Sequence, residues 1–384
     1  IYVADWYDRQ VNHYRNHEGQ IDHELGRVYR VRAKGRRAFS RKINITTLNK
    51  VDLLIAAKSD SRWLRRAALV ELRDRQKLTV IKGAKRGQPS CATELEILLG
   101  SDNLVPIKDI SDVGLRGYAV RRIADGTMSE KYRNVLIELA MNEESPEVVS
   151  QLIAASKRMD ANDGLKIIKA VLNRDLFEND PHIPLLTWWS IESKAMSNIE
   201  SIKKLYSESD FWSSKIVRKT IMGRTMRRYA SEETIEGYLM CSYLLSKAID
   251  IEAKKILIDG FSDAGRGKQI GVMPKELLSE FNSVKDLLPL PLRIRINSPG
   301  AVDEAIAYIN NEKSPKASLV EVISTLGFVS NKDSVNSLKA LLAKGSDKEI
   351  EVACLAALAD HCDDNEVKEI AFHKVLSREA MVRE

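Results

Sequence analysis

His13, His17 and His23, in the stretch NHYRNHEGQIDHE, are the side chains whose types and spacing come closest to a metal site. His13 and His17 stand four apart and would share a face if this stretch were helical, with Glu18, Asp22 and Glu24 close by in sequence. Imidazole and carboxylate donors of this kind suit zinc or a related divalent ion. No matching ligand group appears elsewhere in the chain. The stretch therefore reads as a polar loop, with the three histidines as its only candidate metal ligands.

A second group is basic. Arg65, Arg66, Arg121 and Arg122 recur as pairs beside apolar stripes, in SRWLRRAALVELRD and GLRGYAVRRIAD. Guanidinium pairs on successive elements could line an interaction surface, for a protein or for the phosphates of a nucleic acid. Glu71, Asp74 and Asp125 sit among them, and such acids neutralise a face that would track phosphates. The balance favours solvated helix faces and a protein partner over nucleic acid.

Other chemistries find no pattern. GRGKQ at Gly265 lacks the flanking glycine and preceding strand of a phosphate loop. Cys91, Cys241, Cys354 and Cys362 are scattered, with no Cys-x-x-Cys. Cys241 and Cys354 fall inside apolar helical patterns and read as buried thiols. No catalytic residue is assigned, and no cofactor is expected within this chain. Net charge is +6, of which residues 1–42 supply most, with ten basic against five acidic residues. No apolar run approaches the roughly 20 residues that a membrane-spanning helix needs.

The elements that must carry these groups follow from a recurring phrase. SDSRWLRRAALVELRD begins at Ser59, SDVGLRGYAVRRIAD at Ser111, SPEVVSQLIAASKRMD at Ser145, SPKASLVEVISTLG at Ser314 and SDKEIEVACLAALAD at Ser346. Each sets Ser and then Asp or Pro before an apolar stripe. Ser and Asp cap the free amides of a helix start, and Pro is tolerated in the first turn. Leu64, Ala67, Ala68 and Leu72 show the stripe, recurring at three- and four-residue steps. Phrases at Ser111, Ser145 and Asp180 are 34 and 35 residues apart, which is the length of one helical hairpin. Hairpins of this size bury their apolar faces by stacking, so the expected fold is all-α, a HEAT-like α-solenoid over residues 43–384. Trp188 and Trp189 are expected to anchor one hairpin and reach the next, and Trp63 to pack in the core. Pro289 and Pro291 should interrupt the array.

Residues 1–42 differ. IYVADWY and GRVYRVR are rich in β-branched and aromatic residues and are of strand length. Two strands alone are marginal in water, so they read as the end of a β-domain whose bulk lies upstream. The DWYD start, the HYRNHEG loop and the closing GRVYRV resemble the final blade of sugar-dehydrogenase-like β-propellers in large exported proteins of planctomycete-type bacteria. The resemblance continues through SRWLRRAALVELRDR, VGLRGYAVRRIAD, SPEVVSQLIAASKRM and DPHIPLLTWWSIE, covering about the first 195 residues.

That resemblance implies a terminal propeller blade and linker over 1–42, then a HEAT-like scaffold joined to a c-type cytochrome domain. No Cys-x-x-Cys-His occurs, so haem c is expected only beyond Glu384. The implied partners are the propeller and cytochrome domains of the parent protein, and the implied location is periplasmic or otherwise exported. Should the intact protein bind substrate across the blade, Arg15 or His17 would be the contact. The alternative is a free-standing HEAT-like scaffold, cytoplasmic, binding protein or nucleic acid.

Overall fold

The structure, a computed structural model, describes residues 2–4, 27–31, 34, 43–75, 92–99, 105–126, 128–265, 270–329, 331–345, 347–361 and 364–375. The chain divides into two compact units, Ile1–Leu78 and Thr79–Glu384. The boundary expected after residue 42 falls inside the first of these.

In the first unit, β1 (Tyr2–Ala4) and β2 (Val28–Arg30) pair antiparallel, with Tyr2 opposite Arg30, Val3 opposite Tyr29 and Ala4 opposite Val28. All six residues are exposed, so neither face of this ribbon is covered. Two helices follow, α1 (Lys50–Ala56) and α2 (Arg62–Asp74). Asn49 starts the first, its side chain accepting from the Asp52 amide at 3.0 Å. Ser61 starts the second, accepting from the Leu64 amide at 3.4 Å, while Ser59 stands outside the helix and accepts from the Ser61 amide. Leu53, Ala57, Ala68 and Leu72 close a small core together with Ile45.

Among its described residues the second unit is built of helices and carries no strand. It runs through α3 (Ala92–Leu99), α4 (Val113–Ala124), α5 (Glu130–Asn142), α6 (Pro146–Arg158), α7 (Ala161–Leu172), α8 (Ile183–Ala195) and α9 (Ile199–Tyr206). Next come α10 (Ser209–Ser213), a wide π turn over Val217–Ile221, α11 (Met222–Ala230), α12 (Ile235–Lys247), α13 (Ile251–Ala264) and α14 (Lys275–Ser283). The series ends with α15 (Leu290–Arg295), α16 (Ala301–Ile309), α17 (Lys316–Leu326), α18 (Lys332–Ala343), α19 (Lys348–Leu358) and α20 (Asn365–Val375).

Contacts follow a rule of alternation. Helices α4, α6, α8, α11 and α13 touch in succession, and α5, α7, α9, α12 and α14 form a second column. Further along, α15, α17 and α19 form one column and α16 and α18 another. One apolar core runs from Leu95 to Leu292, and a second from Ile294 to Val367. Leu292 and Ile294 are two residues apart on α15, about 200° around a helix axis, so that short helix feeds both cores. The proline pair does mark this junction: Pro289 precedes α15 and Pro291 sits in its first turn.

The first column packs closely because its contact line carries small residues. Ser156, Ser190, Thr225 and Gly260 lie on α6, α8, α11 and α13 at intervals of 34, 35 and 35 residues. The hydroxyls of Ser156 and Ser190 meet at 2.7 Å. Thr225 accepts from the Tyr206 hydroxyl at 2.8 Å and donates to the Ile221 carbonyl at 2.9 Å, so these fully buried polar groups are all paired. At Gly260 a methyl would come within 2.3 Å of the Gly223 carbonyl oxygen, so two backbones touch there. Trp188 is buried, whereas Trp189 is 45% exposed and Trp63 64% exposed. The latter two therefore depart from expectation: adjacent helical side chains diverge by about 100°, which turns Trp189 outward once Trp188 fills the core.

Candidate functional site

The candidate metal ligands His13, His17 and His23, and Arg15 with them, lie outside the described residues. Among the described residues no group of three or more His, Cys, Asp or Glu could hold a metal ion. Cys241 and Cys354 are buried free thiols, as their apolar surroundings require. Burial pushes the Cys354 thiol up to about 12 and raises that of Cys241 as well, so neither is poised to react at neutral pH.

The four arginines separate into two roles within each pair. On α2, the Arg65 guanidinium donates to the carbonyls of Ser59 at 2.7 Å and Asp60 at 2.8 Å, closing the loop that precedes the helix. Arg66, its neighbour, is exposed and has no partner among the described residues. It lines an open groove of about 630 Å³ together with Ile43, Trp63, Ala67, Val70 and Glu71. On α4, Arg122 is held by both carboxylate oxygens of Glu96, and the Tyr118 hydroxyl donates to the same carboxylate at 2.5 Å. Burial, with the Glu96 carboxylate beside it, raises that phenol to about 12. Arg121 is exposed and unpartnered among the described residues. One arginine of each pair thus braces the fold and the other faces outward.

A ladder of charges not anticipated from the sequence runs between helices. Arg116, on α4, clasps Glu143 at 2.6 and 3.0 Å just before α6, and Glu143 also accepts from the Ser145 amide. Arg218 pairs with Asp250, which caps α13 by accepting from the Ala253 amide at 2.7 Å. Lys316, at the start of α17, reaches Asp347 at 2.8 Å, and Asp347 caps α19. Lys339 on α18 pairs with Asp364, which accepts from the Glu366 amide ahead of α20. Asp250, Asp347 and Asp364 each serve two partners, accepting from an amide that opens the helix ahead and receiving a cation from an earlier element, whereas Glu143 ends α5 and reaches the Ser145 amide before α6. A carboxylate is favoured at that position by the positive end of the helix. Burial opposes ionisation of Glu143, yet the Arg116 guanidinium and backbone amides outweigh it, and its carboxyl is held below the usual range. Hydrogen bonds from Arg218, Lys316 and Lys339 likewise depress Asp250, Asp347 and Asp364.

A second series reaches backward. Arg122, Arg158, Lys194 and Tyr229 recur at intervals of 36, 36 and 35 residues. They bind, respectively, Glu96, Asp125, the carbonyls of Lys157 and Met159, and the carbonyl of Ala195. Lys194 is buried, its ammonium 3.2 Å from each of the two carbonyls that end α6. Desolvation lowers its pKa despite the nearby Asp160. The legible signal for this second series was a polar residue returning at the hairpin period, whereas reading by pairs of adjacent arginines passed over it.

No protein-family model matches the chain, and no curated protein matches it.

Proposed function

We propose that this chain is a helical-repeat scaffold, an α-solenoid of stacked hairpins that holds other folded parts at a set spacing. The observation that carries the reading is the alternation of contacts, in which α4, α6, α8, α11 and α13 succeed one another in a column. Stacked hairpins give that alternation, and the ladder from each cation to the next helix start fixes the register between neighbours. Four steps of about 8–10 Å separate α4 from α13 in such an array, so their outer faces should lie roughly 35 Å apart. Spin labels at Arg121→Cys and Asp259→Cys test this by pulsed dipolar spectroscopy. A single narrow distribution near that distance is expected, and a broad one, or one below about 20 Å, would refute the stacked array.

The more specific part of the proposal rests on the resemblance to exported sugar-dehydrogenase-like proteins. There the scaffold would join a propeller to a c-type cytochrome, setting the distance between a catalytic and an electron-accepting domain. The β1–β2 ribbon supports this reading, because its tyrosines and valines are exposed on both faces and would be covered by neighbouring strands. Reading the coding sequence on either side decides it: propeller blades before Ile1 and a Cys-x-x-Cys-His after Glu384 are expected. A start codon directly ahead of Ile1 would overturn it and leave the free-standing scaffold.

A further inference from the structure

We propose that the groove along α2 of the first unit docks a short peptide segment of a partner protein, one carboxylate flanked by apolar side chains. This rests on the scaffold reading and names the kind of partner it would take.

Trp63, Arg66, Ala67 and Val70 fall at helical steps of three, one and three residues, so they form one stripe, and all four line the groove. Trp63 is 64% exposed, Ile43 42% and Val70 40%, which leaves an unusual amount of apolar wall facing solvent. Within that stripe Arg66 supplies a guanidinium with no partner among the described residues. Two nearby arginines contrast with it. Arg65 is tied to two carbonyls, and Arg75 to Glu71 and to the carbonyls of Thr46 and Leu48. Among the described residues lining it, the groove therefore offers one unanswered positive charge between apolar patches, which a carboxylate flanked by apolar side chains would complement.

Charge over the whole unit points the same way. Residues 1–78 hold 18 Lys or Arg against 9 Asp or Glu, a net +9, while residues 79–384 hold 42 against 45, a net −3. An acidic partner would be drawn to the first unit over a Debye length before any contact forms. A nucleic acid fits the groove less well. Its backbone presents a charge at every step, whereas among the described residues lining this groove Arg66 is the single free cation. The helical stripe from Trp63 to Val70 rises about 10 Å, which matches roughly three or four residues of extended peptide.

Anisotropy of a fluorescein-labelled octapeptide with one Asp between Leu and Phe residues, titrated with the full chain, tests the proposal. An Asn-for-Asp peptide and a twelve-base single-stranded DNA serve as comparisons. Saturable binding is expected, weakened about tenfold or more by Arg66→Glu and several-fold by Trp63→Ala and by the Asn peptide. Both side chains are exposed, so the variants should keep the wild-type helical circular dichroism, and Trp63→Phe should retain most of the binding. Absence of binding to the Asp peptide, or equal binding by Arg66→Glu, would overturn the proposal. So would DNA that binds through Arg66 and displaces the peptide, or a dimer of the chain that Arg66→Glu dissociates. The label distance between α4 and α13 reads the scaffold separately, so an unchanged distance with no peptide binding would refute the docking site alone.

Discussion

The two apolar cores of the second unit use the same device at different depths. In the first, the Arg116 and Glu143 side chains are only 14% and 5% exposed, whereas in the second, Lys316 and Asp347 are 46% and 50% exposed. The geometry is alike, a cation holding an acid at or just before the start of a later helix, but its energetic weight is not. A buried pair that loses one member strands a charge, while an exposed pair exchanges readily with water. Both cores bury hydroxyls, but in the first Ser156 meets Ser190 and Tyr206 meets Thr225 across helices, whereas in the second Thr325 and Ser334 bond carbonyls three or four residues away in their own segments and Gly327 closes against Ala357. Register in the first core is thus tied by polar pairs between helices. In the second, shape at Gly327 shares that role with the Lys316 and Lys339 pairs.

The strongest way to break this comparison is to separate the two cores. Gly260→Val would drive a methyl into the Gly223 backbone and should cost at least about 3 kcal/mol, because neither helix can withdraw without opening its neighbours. Gly327→Val meets Ala357 in the same fashion, with a methyl 2.7 Å from the Ala357 Cα. Hydrogen exchange should show protection lost across α11 and α13 in the first variant, and only in α17 and α19 in the second. Equal loss throughout both cores in either variant would show that they melt as one.

Next in size is the ladder itself. Arg116→Met should cost about 3 kcal/mol in urea unfolding, since it leaves Glu143 buried without its guanidinium. Lys316→Met should leave the midpoint unchanged within error. The acid limb follows from the same carboxylates. Their folded pKa values are depressed, so their contribution is complete above about pH 4.5 and is lost as pH falls through the depressed values. Wild type should therefore lose stability below about pH 4, and Arg116→Met should lose less over that interval. A smaller effect is expected at Tyr206→Phe, about 1 kcal/mol, for the hydrogen bond to Thr225.

Much of the helical organisation was legible in the sequence, because the hairpin period and the capping residues are local properties. The phrases at Ser111, Ser145 and Ser346 each fall within a few residues of a helix start, although Asp112 and Asp347 take the capping role from the serines before them. Outer and inner faces were less legible. Trp63 and Trp189 have the composition of core residues, and only the packing of α2 and α8 decides that they point outward. The arginines were half legible: their number and position could be read, but whether Arg65 or Arg66 is the free one depends on which reaches the Ser59 carbonyl. The ladder was hidden for the opposite reason. Its partners stand 25 to 32 residues apart and look, one at a time, like ordinary solvated charges.

Lys194 gives the smallest expected effect and the sharpest sign. Its ammonium is buried against two carbonyls, so replacing it with methionine removes the cost of desolvating a charge and at the same time leaves the Lys157 and Met159 carbonyls without that donor. These opposing contributions should leave Lys194→Met within about 1 kcal/mol of wild type at pH 7. Raising the pH distinguishes them. Because the folded pKa lies below 10.5, the unfolded chain binds the proton more tightly, and the wild type should gain stability relative to the variant as pH climbs through the lowered value toward 10.5. Urea melts of both proteins at pH 7 and pH 10 measure the difference, with the other titrating groups cancelling between them. If the wild type instead lost ground to the variant on going to pH 10, the two carbonyls would outweigh burial. Lys194 would then be a charged clamp on the end of α6, equal in rank to the Arg116–Glu143 pair.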